Sequence, residues 1–113
     1  MIVDDHPSFR ASARAVLEAG EFEVVGEASD GAAALAAVAE LRPDVVLLDV
    51  QLPDMSGFDV CGFLDRSNGP PPAIVLTSSR DLEDYGELVE TSCARGFVPK
   101  AELSGEAIAD LIA

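Results

Sequence analysis

Asp49 closes an uninterrupted apolar run, Val45-Val46-Leu47-Leu48. A second apolar stretch, Met1-Ile2-Val3, ends in Asp4-Asp5; Ile74-Val75-Leu76 ends in Thr77; Gly96-Phe97-Val98-Pro99 leads into Lys100. Three acids, a hydroxyl and an ammonium therefore stand at the ends of four apolar runs. If the runs are neighbouring strands, these groups meet at one edge. Like charges held that close repel, so the cluster needs a divalent cation or an altered protonation state. Clustered hard oxygen ligands suit Mg2+, which takes few carboxylates and keeps waters and phosphate oxygens. One acid can then serve as a nucleophile toward phosphorus. The hydroxyl and the ammonium can bond phosphoryl oxygens, where charge develops.

The elements that must position these groups are legible as alternating patterns. A run as short and β-branched as Val45–Leu48 reads as a strand buried on both faces, as in a parallel sheet. Strands are expected at Met1–Val3, Phe22–Glu27, Val45–Asp49, Ala73–Thr77 and Phe97–Val98. Helical spacing fills the intervals. Phe9, Ala13, Val16 and Leu17 mark one helix, closed by Gly20 as a C′ glycine. Leu35, Val38 and Ala39 mark a second, opened by Ser29 or Asp30 as N-cap and stopped before Pro43. Val60, Cys61 and Leu64 mark a third, ended by the breaker Asn68-Gly69-Pro70-Pro71-Pro72. Leu82, Tyr85, Leu88 and Val89 mark a fourth, and Leu103, Ile108, Leu111 and Ile112 a fifth. Strict β/α alternation implies a parallel sheet with helices on both faces and right-handed crossovers. Ligands of such sheets bind at the carboxyl ends of the strands. The first strand offers three residues before its acids, against a usual five or six, so it either starts upstream or is clipped.

At 113 residues the chain reads as one domain, 1–113. Its 49% hydrophobic content suffices for a core, and 5% aromatics make that core aliphatic. A net charge of −14 argues against nucleic acid, whose phosphates need Lys and Arg clusters, and against anionic membrane surfaces. No apolar stretch is long enough to span a bilayer, and the start Met-Ile-Val-Asp-Asp lacks the features of a secretory signal. A cytoplasmic location is inferred from these absences. Cys61 and Cys93 have no metal-type spacing and are expected to be reduced thiols, packed as small hydrophobes.

Four words in order carry a family resemblance: Val3-Asp4-Asp5-His6-Pro7, Asp44 through Gly57 (DVVLLDVQLPDMSG), Leu76-Thr77-Ser78-Ser79, and Gly96-Phe97-Val98-Pro99-Lys100. Over essentially its whole length the chain resembles the receiver domain of bacterial two-component response regulators. The opening Asp-Asp-His-Pro and the turn Leu-Pro-Asp-Met-Ser-Gly look most like receivers that precede a LuxR-type helix-turn-helix output domain; no output domain is expected within residues 1–113. The resemblance implies a flavodoxin-like (βα)5 fold, a doubly wound five-stranded parallel sheet of order 2-1-3-4-5. It implies that Asp49 accepts a phosphoryl group from a sensor histidine kinase. Asp5 and Asp49 would ligate Mg2+ directly, the main-chain carbonyl of Gln51 would join them, and Asp4 would act through water. Thr77 would reorient toward the phosphoryl group, Lys100 would pair with it, Phe97 would be an aromatic switch and Pro99 a cis-proline. The only chemistry implied is the domain's own phosphorylation and dephosphorylation. Partners implied are the kinase and, on phosphorylation, a second copy of the chain.

Taken singly, each residue has a plainer reading. A lone Asp at a strand end is a turn or cap residue, Thr77 a β-branched strand residue, Lys100 a solvated side chain and Phe97 core. Only the ordered set gives them a function. His6 reads as a loop residue beside the site, since no second histidine supports it as ligand or phosphodonor. Gly57, Gly69 and Gly96 form no phosphate-cradling loop. The acidic excess is mostly solvated helix face, with Glu83, Asp84, Glu87 and Glu90 placed to shape partner choice. Rival readings fare worse. A phosphatase of the haloacid dehalogenase type needs a second Asp two residues after the nucleophile, where Gln51 stands. A flavin-binding domain needs a Ser/Thr/Gly-rich first loop, where Asp4-Asp5 would repel phosphate. A module working without phosphate leaves the acid–Thr–Lys set unexplained.

Overall fold

The computed structural model describes residues 1–67, 69–79 and 85–113. Five strands, β1 (Ile2–Val3), β2 (Glu27–Ala28), β3 (Val45–Asp49), β4 (Ala73–Ser78) and β5 (Gly96–Pro99), form one sheet in the order β2-β1-β3-β4-β5. Every pairing is parallel. Five helices intervene: α1 (Pro7–Ala19), α2 (Gly31–Leu41), α3 (Gly57–Asp65), α4 (Gly86–Thr91) and α5 (Gly105–Ile112). The expected α/β architecture and strand order are both present.

Strand pleating divides the core in two. Val46 and Leu48 of β3, with Ile74 and Leu76 of β4, pack against Ala34 and Val38 of α2 and Val60, Cys61 and Leu64 of α3. Leu47 and Val75 point the other way, against Ala13 and Leu17 of α1 and Ile108 of α5. A strand apolar at every position is thus required by a sheet covered on both faces. Each fully buried Val or Leu contributes about 1.5–3 kcal/mol, so the central strands anchor the sheet edge that follows them. Among the described residues no helix is long and apolar enough to cross a membrane.

The structure corrects several expectations. The strand read at Phe22–Glu27 is confined to Glu27–Ala28, because its only neighbour, β1, offers two residues to pair with. Phe22 and Val24 still pack on the α1/α5 side of the core. α1 does end at Gly20, but with φ −87°, and Glu21 takes the left-handed φ of 70°. Gly20 is required by packing instead: a Cβ there would stand 3.0 Å from the Cα of Gly105, at the start of α5. Asp30, not Ser29, caps α2, accepting from the Ala33 N–H at 2.7 Å. In α4 the expected inward face fails at Leu88, which is 55% exposed, while Tyr85 and Val89 do pack on the core. Leu82, Glu83, Asp84 and Asn68 lie outside the described residues.

Cys61 and Cys93 are not free thiols. They form a disulfide, with Cα atoms 6.1 Å apart, inside the usual range for such a bond. Cys61 is on α3 and Cys93 follows α4, so only tertiary packing brings them together; a separation of 32 residues carries no motif.

Candidate functional site

Parallel pairing sends all carboxyl ends of the strands to one edge, and the register gathers the marked residues there. Val3 pairs with Leu48, which puts Asp4 beside Asp49. Asp49 pairs with Thr77, and Thr77 with Val98, two residues before Lys100. Asp4 and Thr77 are fully buried and Asp49 is 4% exposed. Asp5 and His6 are exposed at the rim.

Lys100 ties the acids together. Its Nζ lies 2.6 Å from Asp4 Oδ2 and 3.2 Å from Asp49 Oδ2, and 4.4 Å from the centre of the Phe9 ring. No donor is aligned for a hydrogen bond on Asp4 Oδ2, so this buried oxygen is compensated by the ammonium as an ion pair. Asp49 Oδ1 accepts from the Gln51 N–H at 3.0 Å. Asp4 Oδ1 accepts from the His6 N–H at 2.8 Å. The Arg10 guanidinium donates to the Asp4 main-chain oxygen at 2.6 Å and, with Arg14, holds Glu27. The end of β1 is thereby fixed to α1 and β2 despite the strand's two-residue length.

The loop after Asp49 is fastened at both ends. Gly57 N–H donates to the Val50 carbonyl at 2.7 Å, and a Cβ on Gly57 would stand 2.4 Å from the Asp49 carbonyl oxygen; only glycine permits this approach. Ser56 and Asp59 form a reciprocal capping box at the start of α3. Asp54 accepts from the Gly31 and Ala32 N–H groups at the start of α2, at 2.7 and 2.9 Å. Gln51 stands within this braced loop.

Charge and burial set the protonation states. Burial pushes Asp49 up to about 6, with the Gln51 N–H and the Lys100 ammonium pulling the other way. Burial also raises Asp4, but the Lys100 contact and the His6 N–H outweigh it and hold Asp4 below its ordinary value. For Lys100 burial favours the neutral amine, yet the two carboxylates win and keep it charged. The neighbouring Asp4 carboxylate adds to the upward push on Asp49, in the direction expected of a crowded acid cluster.

A cation fits the same place. One ligand atom each from Asp4, Asp5, His6 and Asp49 lie within 4.8 Å of one another. Three are hard carboxylate oxygens, and a buried Asp49 that resists ionisation is the group a cation would relieve. His6 enters the cluster unexpectedly: its Nδ1 is 3.1 Å from both Asp4 Oδ1 and Asp5 Oδ1. It stands exposed beside the site, as read from the sequence. Arg10 and Asp54 were also missed, since each acts on backbone groups that no spacing rule marks.

Thr77 and Phe97 both lie beside the acid edge, and neither contacts Asp49 by its side chain. Thr77 Oγ1 donates to the Val98 carbonyl at 2.7 Å, not to Asp49. Phe97 is half-buried, its ring centre 6.0 Å from that of Tyr85, which in turn is 6.0 Å from Phe58. The described residues contain no cis peptide bond, so Val98–Pro99 is trans, contrary to expectation; trans is the form an X–Pro bond favours by about 0.5–1 kcal/mol.

Comparison with known proteins gives a consistent picture. Residues 1–112 match the response regulator receiver domain family. The chain is 45% identical over 86 residues to the DNA-binding response regulator MtrA of Mycolicibacterium smegmatis, covering 74% of this chain and 36% of that one. It is 39% identical over 84 residues to a protein-glutamate methylesterase/protein-glutamine glutaminase of Hahella chejuensis, covering 74% of this chain and 24% of that one. Among solved structures, the signal receiver domain of the putative response regulator NarL from Mycobacterium tuberculosis superposes with a TM-score of 0.85 at 36% identity. That match covers 98% of this chain and 92% of the other. The chain spans about half or less of the length of its curated relatives.

Proposed function

The chain belongs to the receiver-domain family of two-component response regulators, whose members are phosphorylation switches, and on that premise we propose that Asp49 is its phosphoacceptor. The observation that carries this is the buried Asp49 carboxylate, set between the Lys100 ammonium and the Gln51 N–H, with Asp4 and Asp5 beside it. A carboxylate oxygen of Asp49 attacks phosphorus of a kinase phosphohistidine. The P–N bond breaks, the imidazole leaves with its electron pair, and an acyl phosphate forms. Asp5, Asp49 and the main-chain carbonyl of Gln51 would hold Mg2+, with Asp4 acting through water. An ion held by these groups would supply neutralisation of carboxylate and phosphoryl charge.

Phosphorylation adds about 1.5–2 negative charges. In this reading Lys100 stays with the phosphoryl oxygens and Thr77 exchanges acceptors. Giving up a neutral hydrogen bond such as Thr77–Val98 costs about 1 kcal/mol, whereas one to a charged oxygen is worth about 1.5–3 kcal/mol. The charged oxygen therefore wins. Val98 loses its tie to Thr77, its neighbour Phe97 repacks against Tyr85, and the face of α4, β5 and α5 changes shape. The result is a two-state population shift. We place the protein in the cytoplasm, with a histidine kinase upstream, no direct nucleic-acid contact by this chain, dimerisation on phosphorylation, and no catalysis beyond its own phosphorylation and dephosphorylation. The relatives carry different outputs; a transcription-regulating, LuxR-type output rests on the Asp-Asp-His-Pro and Leu-Pro-Asp-Met-Ser-Gly words.

The test is intact mass after incubation with acetyl phosphate and Mg2+. One phosphoryl group is expected on the wild type and none on Asp49→Asn. Phosphate retained by the variant would overturn the assignment.

A further inference from the structure

The Cys61–Cys93 bond joins two elements whose relation matters to the switch. Cys61 is 1% exposed in the middle of α3, the helix whose first residue abuts the Asp49 carbonyl. Cys93 is exposed, two residues beyond the end of α4 and four before Phe97. α4 contributes no buried residue of its own; among the described residues the segment from α4 to β5 is otherwise held by Tyr85, Val89, Ala94 and Phe97, half-buried on the core, and by the Arg95 N–H donated to the Ile74 carbonyl at 2.7 Å. The cross-link is thus a covalent fastening on the part of the molecule that must move.

We propose that Cys61 and Cys93 form a reversible thiol–disulfide site, opened and closed by low-molecular-weight thiols and disulfides, that locks the α4–β5 segment when oxidised and frees it when reduced. Structural disulfides are rare in reducing compartments, where such pairs are transient or sensing; this step rests on the cytoplasmic reading above. Unequal exposure fixes the order of events. The Cys93 thiolate attacks one sulfur of a small disulfide and expels a thiolate, leaving a mixed disulfide at the surface. The Cys61 thiolate then attacks the Cys93 sulfur and expels the second small thiolate. The two cysteine protons pass to the two departing thiolates, and the protein gives two electrons to the small disulfide. Reduction begins with a small thiolate at Cys93, the exposed residue of the pair, and runs backward.

Free thiols would be counted by maleimide mass labelling across a glutathione series, in the wild type, Cys93→Ser and Asp49→Asn. Amide hydrogen exchange over residues 86–97 would be followed in the same buffers, with and without acetyl phosphate. The wild type and Asp49→Asn should pass from two adducts to none as oxidised glutathione rises, independent of phosphorylation. Exchange in 86–97 should be slowed about tenfold or more by oxidation, and Cys93→Ser should exchange like the reduced protein in every buffer. Phosphorylation should speed exchange in this segment only when the thiols are free. Thiols that stay free throughout, or closure that leaves exchange in 86–97 unchanged, would overturn the proposal. Because the thiol count and the unphosphorylated exchange need no phosphoryl transfer, failure of the Asp49 assignment would show separately.

Discussion

Replacing Asp49 by asparagine should stabilise the metal-free fold while abolishing phosphorylation. An aspartate with an ordinary value of 3.8 is held here at about 6, chiefly by burial. At 1.36 kcal/mol per pH unit, ionising it inside the fold at neutral pH costs about 3 kcal/mol. Asparagine removes that cost but leaves Lys100 with one carboxylate partner, Asp4, so the expected net gain is about 1–3 kcal/mol. The sign follows from proton binding. Below pH 3.8 the carboxyl is neutral in both folded and unfolded chains, and no cost exists. Between 3.8 and about 6 the unfolded chain ionises while the folded one keeps its proton, so wild-type stability falls as pH rises. Above that window the cost is constant. Urea unfolding in EDTA at pH 7.5 should therefore show a higher midpoint for Asp49→Asn at unchanged slope, the gap closing as pH is lowered toward 4. Saturating divalent cation should reverse the order, since a ligand at a hundred times its dissociation constant adds about 2.7 kcal/mol to the form that binds it. An asparagine variant no more stable than wild type in EDTA would refute both the burial argument and the cation's role in relieving it.

Four other perturbations have definite outcomes. Lys100→Ala should retain cation binding and phosphorylation by acetyl phosphate but abolish the phosphorylation-dependent exchange change at Phe97. Gly57→Ala should destabilise the fold by about 1–3 kcal/mol, the usual cost of overpacking, and slow phosphorylation, because its Cβ would displace the backbone at Asp49; calorimetry and mass labelling read the two effects. His6→Ala should weaken Zn2+ more than Mg2+, because imidazole suits Zn2+ while Mg2+ prefers carboxylate, carbonyl and water oxygens; competition calorimetry reads the ratio, and equal affinities in variant and wild type would show that His6 ligates neither. Reduction of the Cys61–Cys93 bond, which spans 32 residues, should cost about 3–4 kcal/mol of stability in the chain-entropy account, with no such loss in Cys93→Ser.

What the sequence revealed and what it hid divide along physical lines. β3 and β4 were legible because a strand covered on both faces must be apolar at every position, as Val45–Leu48 and Ile74–Leu76 are. The gathering of Asp4, Asp5, Asp49, Thr77 and Lys100 was legible because parallel pairing turns four distant strand ends into one edge once the strands are placed. β2 was overread: strand length is set by the neighbour, and β1 supplies two partners. Gly20 was assigned to a turn because the left-handed cap is the commonest use of a terminal glycine, whereas here its use is the contact with Gly105. The disulfide was hidden for the same reason. Proximity of α3 to the α4–β5 segment is a property of helix packing, and no spacing encodes it.

The charges of the site also explain why it can switch. Without a cation, the carboxylates are balanced by one ammonium that touches both Asp4 and Asp49, and Asp49 remains reluctant to ionise. A cation held by Asp4, Asp5 and Asp49 would favour the ionised form of Asp49. On the proposed assignment, a phosphoryl group on Asp49 would move the negative charge outward, and Lys100 and the Thr77 hydroxyl are groups placed to follow it. Lys100 needs little rearrangement, since it already bonds Asp49. Thr77 must break its bond to Val98, and that bond lies on the strand that carries Phe97. On the proposed switch, this single hydrogen bond would couple the acid edge to the aromatic row of Phe97, Tyr85 and Phe58. A valine at position 77 would keep the strand's shape and remove the exchangeable bond. Phosphorylation of Thr77→Val should then proceed while Phe97 stays as it is in the unmodified protein, and an Phe97 response that survives in this variant would show that the coupling runs elsewhere.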